Sequence, residues 1–75
     1  MNLEKDNKIL EEVLAGWIVE KFMKKFPNAR VGDVDVYASQ AAKKTLKDMR
    51  GHHYDEQVRY GFSLAETNFL MERTF

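Results

Sequence analysis

Apolar residues recur along most of this chain at three- and four-residue spacing, the period of a helix that buries one side. Pro27 and the glycines at 32 and 51 punctuate that pattern, and the intervals between them predict three helices. The first runs from about Leu3 to Phe26; Lys24 and Lys25 suit the negative end of its dipole and Pro27 ends it. The second starts near Asp33 or Asp35, either of which can cap its N-terminus, and stops before Gly51. Its apolar positions, Val34, Ala38, Ala41, Ala42, Leu46 and Met49, fall on one face. The third runs from about Asp55 to Arg73, with Tyr54, Val58, Phe62, Ala65 and Phe69 as its core stripe. Gly61 weakens its middle, and Ser63 followed by Glu66 has the form of a capping box that restarts the helix.

Two stretches, Val34-Asp35-Val36 and Val58-Arg59-Tyr60-Gly61-Phe62, also alternate with the period of a strand. Two short strands alone are rarely stable in water, and each alternation also fits a helix stripe. The expected fold is therefore all-α, a small three-helix bundle in one domain over residues 1–75, with an α+β fold containing a short two-stranded element as the alternative.

Helix 1 has a feature that simple periodicity hides. On a wheel of about 100° per residue, Leu3, Ile9, Leu10, Val13, Leu14 and Trp17 share one face of its first half. Ala15, Ile18, Val19, Phe22, Met23 and Phe26 share a nearly opposite face of its second half. The changeover falls at Gly16, a residue that costs a helix interior about 1 kcal/mol relative to alanine. Either the helix kinks at Gly16 so that both halves face one core, or it stays straight and leaves one apolar face for a partner. Helix 3 has a weaker second line, Tyr60, Leu64 and Met71, opposite its core stripe.

Length sharpens that choice. A chain of 75 residues buries only about 60% of the surface its unfolded form exposes, so small domains lean on disulfides, metals or a partner subunit. There is no cysteine, and the two histidines are adjacent, so neither a disulfide nor a Cys/His zinc site is available. A partner subunit is the remaining support: a homodimer is expected, and Leu10, Val13, Leu14, Trp17, Tyr60, Leu64 and Met71 form the apolar face for self-association or for a partner. The longest apolar run, Val13 to Val19, has seven residues between Glu12 and Glu20, whereas a membrane span needs about 20. With Glu4, Lys5 and Asp6 near its start the chain does not resemble a secretory signal, and a cytoplasmic protein is expected.

Charge is balanced overall at twelve basic and twelve acidic residues, which argues against general nucleic-acid binding. Its distribution is uneven: residues 21–50 carry eight basic and three acidic side chains, between two acidic segments. Within that segment Lys43, Lys47 and Arg50 recur along one face of helix 2, with Gln40 in line and Lys44 beside them. Such a stripe suits an acidic protein surface or a phosphate backbone; Asp48 interrupts its flank.

No catalytic constellation emerges. Ser39 and Ser63 lack a nucleophile elbow, and there is no phosphate-cradling glycine loop. Asp33 with Asp35, and Glu11 with Glu12, read as a helix start and a solvated face rather than acid–base pairs. His52 and His53, beside Asp55, are the only titratable cluster of interest, but adjacent residues on a helix point about 100° apart and make a poor metal pair. The turn before helix 2 is longer than that of a helix-turn-helix, and Val58–Phe62 does not match the RNA-binding octapeptide. The expectation is a non-enzymatic helical interaction module without metal or cofactor, acting as an inhibitor, adaptor or regulator on a larger, acidic partner protein. A nucleic-acid-binding regulator using the helix 2 face is the alternative, and a small enzyme or metal site at His52 and His53 is the remote one.

Overall fold

The described residues form three helices: α1 (Leu3–Lys25), α2 (Val31–Asp48) and α3 (Tyr54–Arg73). The computed structural model describes the backbone of residues 3–73 and the side chains of residues 8–72. No strand occurs among the described residues; Val34 and Val36 lie within α2, and Val58 to Phe62 within α3, so the two-stranded alternative falls away.

The helix ends follow from local chemistry, with one correction. Phe26 N–H donates to the Phe22 carbonyl at 2.8 Å, and Pro27, which has no N–H, then stops the ladder. α2 begins before the expected aspartates, at Val31, with Arg30 as an extended N-cap that makes no side-chain capping bond. Asp33 instead occupies the first turn, where its charge favours the helix dipole without closing a capping ring. Gly51 adopts φ +86, the left-handed conformation that glycine enters without steric cost, and so turns the chain into α3. Gln57 Nε2 then donates to the Met49 carbonyl at 3.1 Å, tying the end of α2 to the first turn of α3.

All three helices touch one another around a single core. Small residues line the contacts: Ala15 on α1, Ala38, Ala41 and Ala42 on α2, and Ala65 on α3 are all buried. Between them Ile18, Phe22, Val34 and Phe69 fill the interior. Thr45 is the one buried polar side chain among the described residues, and its hydroxyl donates to the Ala41 carbonyl at 2.6 Å, one turn back. Ala42 is fully buried, as its place on the wheel requires. Ala42→Leu should therefore overpack the interior and destabilise by about 1–3 kcal/mol. A denaturant melt with an unchanged midpoint would show that α2 can shift to admit the larger side chain.

α3 departs from expectation at both faces. Gly61 does not interrupt it and Ser63 does not restart it; the helix runs unbroken from Tyr54 to Arg73. Gly61 is itself buried, because a Cβ there would overlap Ile18 Cδ1 and lie 3.1 Å from Thr45 Oγ1. Tyr54, expected in the core stripe, is exposed: it is the first residue of the helix, where neighbours cover only one side of its ring. Leu64, expected on a free second face, is half-buried against the core, and Tyr60 is half-buried too. α3 packs against both α1 and α2, so a wider arc of it is covered than one stripe requires. Of that second line only Met71 is exposed.

α1 continues through Gly16 as a single α-helix. Its second-half face supplies Ala15, Ile18 and Phe22 to the interior, with Val19, Met23 and Phe26 partly covered. Its first-half face is left outside, apart from Leu14, which turns inward and is buried. The side chain of Leu3 lies outside the described residues.

Candidate interaction surface

The uncovered half of α1 carries Ile9, Leu10, Val13 and Trp17 on its surface, each 47–54% exposed. These are large apolar side chains in one stripe, and they set this face apart from a scatter of single apolar residues. Trp17 leans toward Tyr54 at the start of α3, with ring centroids 6.2 Å apart and planes inclined at 50°. Leu10, Val13, Trp17, Leu46 and Tyr54 surround a groove of about 310 Å³, and Leu14 also lines it. Leu46 comes from α2 and Tyr54 from α3, so the groove exists only once the helices are assembled.

The basic stripe lies beside it. Lys43, Lys47 and Arg50 are exposed and line a second recess, of about 450 Å³, together with Leu10, Glu11, Leu46, Gly51 and Gln57. Leu10, Leu46 and Gln57 belong to both recesses, so the apolar face and the basic stripe form one continuous surface. Arg50 reaches it from the turn beyond α2, which ends at Asp48, rather than from the helix itself. Gln40, in line with the stripe in sequence, instead borders a small recess with Asp33, Val36, Tyr37 and Glu72.

Lys44 and Asp48 leave the stripe for another contact. Tyr60 donates its hydroxyl to Asp48 Oδ2 at 2.9 Å, and Lys44 Nζ lies 3.1 Å from the same oxygen. The Tyr60 hydrogen bond, and next the one from Lys44, hold the Asp48 carboxyl below its ordinary range. Conversely, the Asp48 hydrogen bond raises both the Lys44 ammonium and the Tyr60 phenol. Asp48 is thus engaged away from the recess. Among the described residues Lys43, Lys47 and Arg50 make no ion pair, whereas Lys24, Lys25 and Lys44 each have a carboxylate partner within 4 Å. Glu11 is the one carboxylate among the residues lining that recess, so the three cations outnumber the acidic groups there, and a partner's carboxylates would balance them.

Tyr60 and Leu64, expected on the self-association face, are therefore used inside the bundle, and Met71, on the last turns of α3, is not among the residues lining the groove. Sequence reading missed Leu46 and Tyr54. Each was assigned to the core by the wheel of its own helix, and only the third helix's position shows which edge of that stripe is uncovered. His52 Nδ1 lies 2.9 Å from Glu56 Oε2, one turn into α3, and His53 is exposed. Among the described residues no group of three or more His, Asp or Glu side chains is placed to hold a metal, and no helix is long and apolar enough to cross a membrane. Compared with known proteins, the chain matches no family model, no curated protein and no solved structure.

Proposed function

We propose that this chain is a non-enzymatic helical interaction module that inhibits, adapts or regulates a larger protein in the cytoplasm by docking on an acidic surface. The observation that carries this reading is the junction of the two recesses. Three cations without ion pairs among the described residues border the same hollow as Leu10 and Leu46. A complementary partner offers an apolar side chain flanked by carboxylates: the apolar contact supplies affinity, and the charges supply register and a fast approach.

Changing Lys43, Lys47 and Arg50 together to Glu should leave the fold intact, since exposed substitutions shift stability by about 0.5 kcal/mol or less each. Attraction toward an acidic partner becomes repulsion, so proteins that co-purify with the intact chain from its native host should be lost with the triple variant. Identical sets of captured proteins would reduce the stripe to a solvated helix face. A nucleic-acid regulator remains the competing reading for the same cations. It predicts a gel shift with DNA or RNA that weakens steeply as salt rises. The balanced charge of the whole chain leads us to expect no strong shift.

A further inference from the structure

Gly16 and Gly61 both sit in helix interiors, and only Gly61 has neighbours within the chain that exclude a side chain. At Gly61 the missing Cβ is what lets Ile18 close against α3. At Gly16 an added Cβ would meet no atom within 4 Å, although glycine is less favourable than alanine in a helix interior. Gly16 lies in the exposed stripe with Ile9, Leu10, Val13 and Trp17. On a wheel the five span an arc of about 120° centred on Val13, directed away from Ile18 and Phe22. A notch at the edge of an apolar stripe gives room for a side chain of a second helix to seat.

We propose that a second copy of the chain covers this stripe, the two α1 helices packing antiparallel about a two-fold axis at Val13. The stripe complements itself in that arrangement. Ile9 and Gly16 lie on one side of the arc, four residues before and three after Val13; Leu10 and Trp17 lie on the other, three before and four after. The two-fold axis therefore sets Ile9 of each copy over the notch at Gly16 of the other, and Leu10 against Trp17. A parallel pair about an axis along the helices would instead set Trp17 against Gly16 of the other copy and Ile9 against Leu10, and would align the two helix dipoles, which the antiparallel sense opposes. The stripe covers only two to three turns, so the interface falls near the lower end of stable sizes, about 1,200 Å² in total, and dissociates in the micromolar range. The inference does not rest on the acidic-partner reading, since Lys43, Lys47 and Arg50 belong to α2 and its following turn, although Leu10 borders both surfaces.

Sedimentation equilibrium of the full chain, from low micromolar to several hundred micromolar, tests it. A reversible monomer–dimer equilibrium is expected. Gly16→Leu fills the notch and Val13→Lys places two like charges on the axis, and each should raise the dissociation constant at least about tenfold while circular dichroism stays helical. In a chain without cysteine, Val13→Cys should oxidise to a disulfide-linked dimer, and Asp35→Cys on α2 should not. A monomer at every concentration overturns the proposal, as does a dimer indifferent to Gly16→Leu and Val13→Lys. The Lys43/Lys47/Arg50 triple variant should still dimerise, which keeps loss of partner capture distinct from loss of self-association.

Discussion

Phe22→Ala should remove about 3–5 kcal/mol of stability, the largest loss expected from truncating any single side chain here. Phe22 is fully buried, with its ring centroid 4.9 Å from those of Phe26 and Phe69 and 5.8 Å from that of Phe62. Its contacts therefore join α1 to α3 and fix the entry to the turn before α2. Truncation forfeits the transfer free energy of the ring, leaves a cavity, and breaks three ring contacts worth about 0.5–1.5 kcal/mol each beyond burial. The losses overlap, so the range for the whole substitution is the better guide. A domain of this size has about 4–11 kcal/mol in total. Chemical denaturation followed by circular dichroism should show the variant largely or marginally unfolded at room temperature, with Phe22→Leu in between. A loss under about 1 kcal/mol would mean that the aromatic cluster rearranges to fill the space.

The second large effect is a reversal of sign between the two helix-interior glycines. Gly61→Leu should destabilise at or above the top of the usual overpacking range of about 1–3 kcal/mol. Even the first atom of the new side chain overlaps Ile18 Cδ1, and it lies 3.3 Å from Ile18 Cγ1 and 3.1 Å from Thr45 Oγ1. Ile18 and Thr45 are both fully buried, so neither side chain can swing aside into solvent. Gly61→Ala carries the same clash, partly offset by about 1 kcal/mol of helix propensity. Gly16→Ala gains that propensity with nothing to strike, so in dilute, monomeric solution it should raise stability by about 1 kcal/mol. Thermal melts of the two alanine variants decide the matter. In a domain of this size about 1 kcal/mol corresponds to roughly 4–8 °C, and the two midpoints should move in opposite directions. Equal upward shifts would show that α1 and α3 are not in close contact at Gly61.

Much of the fold was legible because helix formation and termination are local. Spacing of apolar residues, Pro27 after α1 and Gly51 after α2 were enough to place three helices within a few residues of their ends. The misplaced start of α2 has a local cause as well: Asp33 and Asp35 favour a helix N-terminus, but Asp33 serves it from the first turn. Gly61 was misread because a wheel weighs a glycine by its missing propensity and cannot see Ile18 on another helix.

The sequence by itself determined that α1 is apolar on opposite sides of its two halves, and that Lys43, Lys47 and Arg50 recur together. Both follow from the angular repeat of a helix, which needs no knowledge of neighbours. Tertiary structure decided which half of α1 is buried: α2 and α3 close over Ile18 and Phe22 and leave Ile9, Leu10, Val13 and Trp17 outside. It also decided that Leu46 and Tyr54 join those residues, that Tyr60 is spent on Asp48, and that the apolar stripe meets the basic one at Leu10. Such relations link side chains on different helices, and the packing that sets them is a sum of many weak contacts with no signature at any one position in the chain.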